Sequence, residues 1–345
     1  VVSNSGDQAE SNAATLTVRK SSSGSGGGSS NVSHPDKDEP QIPTTGQTTP
    51  VKPETSGNAG IDSSAVQDAI NEATADAKKN GNTSNGIAVA VPIQNEVGAQ
   101  SLTITIPANT LDKLVAANVR RFDITTNGLP SFSFTFDALK MLDTQSQGGD
   151  LILRITKTTA ASDEAKAAIS TRPAYDISLV YVQNGKEMPL TDWMCKTVSV
   201  KLPYSLGKGE QHGNLYAVSV SSNGKVEWFT KSSYDADQKA VIFKAAHFGV
   251  YGVGYRNPVS AFTDIDGHWA KEHILFTVSR GLFSDISETA FSPNTTLTRG
   301  MFVTTLGRLA GINPSSYQTG TFTDVKADAY YAPYVNWAAK TGIVS

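Results

Sequence analysis

The string Phe262-Thr263-Asp264-Ile265 returns as Phe322-Thr323-Asp324-Val325, and Gly281-Leu282 returns as Gly342-Ile343. A chain that repeats itself at a period of about sixty residues builds one supersecondary unit per repeat and stacks the units. The first copy, "FTDIDGHWAKEHILFTVSRGLFS", predicts an amphipathic helix with Trp269, Ala270, Ile274 and Val278 on one face and a stop at Gly281. A loop follows, and then a second helix from Arg299 whose apolar stripe is Phe302, Leu306, Leu309 and Ala310. Thr298 is placed to cap that helix. The expected unit is all-α, helix–loop–helix, over residues 261–313, with a second copy at 321–345 that stops after its first helix.

Arg299 stands awkwardly in this scheme. As the first helical residue it puts a cation at the positive end of the helix dipole, which costs about 0.3–1 kcal/mol. Two readings answer this. Arg299 pairs with a neighbouring carboxylate, Asp264 or Asp266, or an external anion comes to the helix N-terminus and the arginine helps to hold it. Trp269 reads first as a core residue of its helix, with stacking on a sugar as the alternative.

"FTDIDGHWA", Gly281-Leu282, "FSPNTTLTR" and "RLAG" form an ordered signature that resembles the S-layer homology repeat of bacterial cell-surface proteins. The resemblance covers 261–345. It implies repeats that act in threes and bind a pyruvylated secondary cell-wall polysaccharide non-covalently in grooves between repeats. It also implies an extracellular place at the cell wall or S-layer, and it leaves open whether the protein packs with itself in a surface lattice. The carbohydrate-binding residues it implies are Arg299, Thr298, Trp269 and Asp264. The family's "TRAE" is here Thr298-Arg299-Gly300-Met301. The glutamate that closes a capping box is gone, and Gly300 costs a helix up to about 1 kcal/mol relative to Ala. Leu297 and Phe302 remain as candidates for a hydrophobic staple.

Upstream, the pattern is mainly β. Residues 86–256 predict strands at 87–93, 102–107, 121–126, 131–136, 151–156, 175–182, 197–203, 214–220, 225–230 and 239–244, most with clear period-2 alternation. Short helices are expected at Leu111–Ala117, Ala138–Leu142 and Asp163–Ile169. The expected fold is an antiparallel sandwich-like module. Its segment order resembles β-rich modules that precede S-layer homology repeats, on "ITIPANTLDKL", "VSVKLPYSL" and "AAHFGVYGVGY". Residues 61–81 predict one helix with a narrow, alanine-rich stripe (Val66, Ile70, Ala73, Ala77), expected to pack only lightly. In 21–60, Gly, Ser, Thr and Pro supply 25 of the 40 residues, which predicts a disordered linker. Its "IPTTG" (Ile42–Gly46) looks like a sortase signal but lacks the apolar span and basic tail such a signal needs. Residues 1–20 resemble the last hairpin of an immunoglobulin-like domain, too short to bury a core alone, so the chain reads as an internal piece of a longer protein.

No catalytic chemistry is legible. The five histidines lack metal-ligand spacing, and there is no HExxH, GxSxG or phosphate loop. No cofactor and no metal are expected. "HFG" at His247–Gly249 resembles the His-Phe-Ser step of autoproteolytic β-domains, but Gly249 has no nucleophile, so no self-cleavage is expected. With 29 basic and 32 acidic residues the net charge is −3, there is no basic stripe, and no nucleic-acid partner is expected. No apolar run reaches the ~20 residues of a membrane span. The single cysteine, Cys195, forms no internal disulfide. The leading reading is a non-catalytic segment anchored to wall polysaccharide. The alternatives are the anchoring portion of a surface enzyme such as a polysaccharide hydrolase, or an adhesin, with the active domain upstream.

Overall fold

The structure, a computed structural model, describes residues 42–190, 197–257, 262–283, 289–320 and 322–344. The expected immunoglobulin-like strands (1–20), the first part of the expected linker (21–41) and Cys195 lie outside these residues.

Two mixed sheets make the body. The seven-stranded sheet runs β1 (Thr44–Gln47), β3 (Ile87–Pro92), β5 (Arg121–Thr125), β6 (Ser131–Thr135), β10 (Val198–Pro203), β14 (Ala240–Ala245) and β13 (Ser233–Asp235). The eight-stranded sheet runs β12 (Val226–Phe229), β11 (Leu215–Val220), β15 (Val250–Tyr255), β8 (Ala174–Gln183), β7 (Asp150–Thr158), β4 (Ser101–Ile106) and β2 (Asn58–Gly60), with β9 (Lys186–Pro189) paired to β8. Each predicted strand has its counterpart, because alternation marks a face that must be buried. Val89, Phe122, Phe132, Val200 and Phe243 from the first sheet join Ile104, Leu153, Ile177, Tyr251 and Val253 from the second in a single buried cluster. Aromatic rings carry much of the joint: Phe243 lies 5.0 Å from Tyr251 and 4.8 Å from Phe229, centroid to centroid.

The expectation of purely antiparallel sheets is corrected. β1 pairs with β3, β3 with β5, and β2 with β4 in parallel. Parallel neighbours need long crossovers, and the chain supplies them with helices. Helix α1 (Ser63–Lys79) lies between β2 and β3 in sequence, and α2 (Ala108–Ala116) lies between β4 and β5. The remaining helices of the body are α3 (Phe136–Ser146) and α4 (Asp163–Ile169). The predicted strand at 131–136 ends one residue early. Thr135 accepts from the Ala138 N–H and turns Phe136 into the first residue of α3.

Two further expectations fail here. Residues 42–60 are not linker, since they hold β1 and β2 and their parallel pairings. Each of these short edge strands sinks only one small residue, Gly46 or Ala59, so composition shows nothing of them. The "IPTTG" string is thereby spent on a paired strand. Nor does α1 pack lightly. Val66, Ala69, Ile70, Ala73 and Ala77 are buried, and the Asp62 side chain caps the helix by accepting from the Ser64 N–H at 2.8 Å. The small residues that made the stripe look weak are what let the helix come close. A β-carbon on Gly46 would run into the Ala69 carbonyl of α1.

Beyond β15 the described elements are helices: α5 (Lys271–Ser279), α6 (Arg299–Ala310), a short 3-10 turn at Pro314–Tyr317 and α7 (Ala332–Lys340). α5 and α7 occupy the same place in the two copies of the repeat. Phe262, Ile265 and Ile274 form one small core, and Val303, Trp337 and Ala338 form another between α6 and α7. α6 buries only part of the stripe read from its sequence. Leu306 packs against the Val303–Trp337–Ala338 core, but Phe302 and Leu309 are 44% and 48% exposed, and Val303, Thr304 and Gly307 are the buried positions.

Candidate functional site at the head of helix α6

Thr298 caps α6 as expected: its hydroxyl accepts from the Met301 N–H at 3.2 Å, with the backbone extended at the cap. That places Arg299 at the first helical position, exposed to solvent. Among the described residues the Arg299 side chain makes no hydrogen bond or ion pair. Both carboxylates named as its alternative partners are engaged elsewhere. Asp266 pairs with the Lys271 ammonium at 2.6 Å. Asp264 accepts from the N–H groups of Phe291 (3.1 Å) and Ser292 (2.6 Å), and these bonds, Phe291 first, hold its carboxyl below the usual carboxylate range. Asp264, expected as a ligand residue, spends both oxygens on fixing the loop that leads into α6.

Trp269 is not a core residue. It precedes α5, is 75% exposed, and lies 5.7 Å from the His268 ring at an interplanar angle of 31°. His268 in turn is tied down. Its Nδ1 accepts from the Ala270 N–H at 3.2 Å, which leaves Nε2 to donate to Asn294 Oδ1 at 3.3 Å. The equivalent position in the second copy, two residues before α7, is Tyr330, also exposed at 61%. Both copies therefore present a large aromatic ring to solvent at the same point of the repeat.

Sequence reading missed the role of Gly300. A β-carbon there would lie 2.9 Å from Cγ of Tyr331, and one on Gly307 would meet the ring of Tyr334. The two glycines, two turns apart, let α7 lay a pair of tyrosines on α6. Tyr331 meets Tyr330 edge to face at 5.2 Å. The head of α6 is thus set against the opening of the second repeat. Gly300 meets Tyr331 there, and Tyr331 in turn meets the exposed Tyr330 ring. Trp269 belongs to the first copy's loop, tied through His268 and Asn294.

The S-layer homology domain family matches residues 261–300 and 321–345. This C-terminal segment is an S-layer homology region. Such regions are non-catalytic anchors that bind cell-wall polysaccharide, and this one places the chain among extracellular, wall-associated surface proteins. Over 83 residues (24% of the chain) the chain is 36% identical to an endo-1,4-beta-xylanase A of Thermoanaerobacterium saccharolyticum and 35% identical to the exoglucanase XynX of Acetivibrio thermocellus. Those matches cover 7% and 8% of the relatives. A longer match, 26% identical over 275 residues and 70% of the chain, is to an amylopullulanase of Thermoanaerobacterium thermosulfurigenes, of which it covers 14%. The chain thus spans a small part of each of these curated relatives. No solved structure matches it. Among the described residues there is no cluster that could hold a metal ion, and no helix is long and apolar enough to cross a membrane.

Proposed function

We propose that the head of α6 binds the ketal carboxylate of a pyruvylated secondary cell-wall polysaccharide, so that this chain is a non-catalytic anchoring segment. The observation that carries this is Arg299, exposed at a helix N-terminus and without a partner among the described residues, while Asp264 and Asp266 are committed to other partners. A carboxylate arriving there meets the unpaired N–H groups of the first turn and a planar guanidinium that can bond it bidentately. The dipole penalty on the cation is offset once the anion is present. Tyr330 and Trp269 offer exposed faces on which sugar rings can stack. Thr298 acts by holding the cap, and Asp264 by holding the loop. In this reading residues 261–313 are one all-helical repeat, 321–345 begin a second, and 42–257 form the β-rich module that they tether. Removing pyruvate chemically from the purified polymer tests the ligand. Binding should fall, and Arg299→Ala should then cost nothing further. Equal binding of the depyruvylated polymer would rule out the carboxylate.

A second reading has its own support. The match to the amylopullulanase runs over 70% of this chain, farther than the repeats alone. The β-rich module and the anchor can therefore be the tethering portion of a surface polysaccharide hydrolase.

A further inference from the structure

Arg280, the residue that closes α5, is buried at 6% exposure, and among the described residues no carboxylate meets it. Its guanidinium reaches out of the first repeat and into the β-rich module. Nη1 donates to the carbonyls of Thr230 (3.1 Å) and Ser232, and Nη2 to those of Gly213 (3.2 Å) and Leu215 (2.8 Å). All four acceptors belong to the segments around β11, β12 and β13. The same guanidinium lies 4.2 Å from the Tyr216 ring and 4.8 Å from the Phe276 ring, so it is held between an aromatic of the module and one of α5. The Tyr216 hydroxyl donates to Ser279 Oγ at 3.0 Å, a further bond between the two parts. Arg256 lies over both Tyr216 (4.7 Å) and Trp228 (4.6 Å), extending the stack into the sheet. On the other side of the repeat, Lys231 of the module lies against Gly311, the left-handed cap of α6.

A buried guanidinium with no counter-charge is expensive unless every neighbour compensates it. Here the two terminal nitrogens are met by backbone carbonyls and the plane by aromatic faces, almost wholly from the partner segment, while Nε has no hydrogen-bond partner among the described residues. The first repeat has little of its own to stand on. Its buried cluster is Phe262, Ile265 and Ile274, and α6 opens without a capping-box glutamate. A helix of nine residues with one buried side chain does not persist alone in water.

We propose that Arg280 latches the first S-layer homology repeat onto the β-rich module, so that α5 folds with β11–β13 as one cooperative unit and the anchor leaves the module in a fixed orientation. The two parts are then not beads on a string. A pull on the wall-bound repeat is passed into the eight-stranded sheet through the Arg280 fork, and the module steadies the repeat that does the binding. This does not depend on what the repeat binds.

Hydrogen exchange on the whole chain, read by mass spectrometry, tests the latch. In the wild type the amides of α5 should be protected to within about tenfold of those of β11, although α5 alone would exchange freely. Arg280→Gln should speed exchange across residues 271–279 by at least about tenfold while β7 and β8 keep their protection. Ser279→Ala, which removes only the bond from Tyr216, should give a smaller change in the same peptide. If Arg280→Gln unfolds the module itself, Arg280→Lys serves in its place. It keeps the charge but cannot present the planar fork to four carbonyls, and it should loosen α5 in part. Wild-type protection of α5 in Arg280→Gln, or in Arg280→Lys where that variant stands in, would overturn the proposal. So would an α5 that already exchanges freely in the wild type.

Discussion

Tyr331 stands against Gly300 so closely that a methyl at residue 300 would come within 2.9 Å of the tyrosine Cγ. The glycine that weakens α6 by propensity is the one that admits the second repeat. Considered as a lone helix, Gly300→Ala gains up to about 1 kcal/mol. In the folded chain the ring must shift, and overpacking of that kind costs about 1–3 kcal/mol. The net effect of Gly300→Ala on the α6–α7 pair should be a loss of about 1 kcal/mol. Combined with Tyr331→Ala, the same substitution should become stabilising. A double-mutant cycle by thermal unfolding reads this directly, and additive effects would show that the two residues do not meet.

Asp264 should make the first repeat sensitive to acid. Its folded pKa lies below the ordinary 3.8, first through the Phe291 N–H and then through Ser292. A depressed carboxylate contributes stability that is present above the unfolded value and is lost as pH falls through the folded one. The Phe291 and Ser292 amide signals should therefore stay constant from neutral pH down to about pH 5 and titrate with a midpoint below 3.8. Asp264→Asn should produce the loosened loop at pH 7. A midpoint at or above the ordinary value would show that the two bonds are weak.

Gly46 should be the least replaceable residue of the first edge strand. Its missing side chain is the space into which the Ala69 carbonyl projects, and a helix backbone cannot give way as a side-chain tip can. Gly46→Ala should cost about 3 kcal/mol and free β1 from β3, seen as rapid exchange of the amides of residues 44–47. Thr45→Ala, at an exposed neighbour, should cost under about 0.5 kcal/mol. Equal effects at the two positions would contradict the packing.

What the sequence made legible was set by how strongly each element repeats its signal. The strands around Phe122, Phe132 and Ile104 alternate because both sheets bury one face, and the pattern shows it. β1 and β2 bury one small residue each and depend on backbone pairing, which leaves no trace in composition, so residues 42–60 read as linker. Trp269 looked like core because helical periodicity assigned it to the face of Ile274. The helix starts later, at Lys271, and the indole stays outside. The cap at Thr298 and the position of Arg299 were readable because capping is local. That Asp264 had other partners was not, since its bonds to Phe291 and Ser292 are set by a loop closing over nearly thirty residues, and Asp266 turns to Lys271 only five positions on. Arg280 gave no signal at all. A lone arginine at a helix end is an ordinary surface residue until the sheet beside it is known.

The affinity of Arg299→Ala for purified pyruvylated wall polysaccharide tests most directly whether Arg299 meets a carboxylate. Calorimetry at matched thermal stability is the measurement. A lost hydrogen bond to a charged group is worth about 1.5–3 kcal/mol, so binding should weaken about ten- to a hundredfold. Arg299→Lys should recover part of this, because an ammonium lacks the planar fork. Wild-type affinity in Arg299→Ala would mean that the arginine holds no anion and that the polymer is gripped elsewhere.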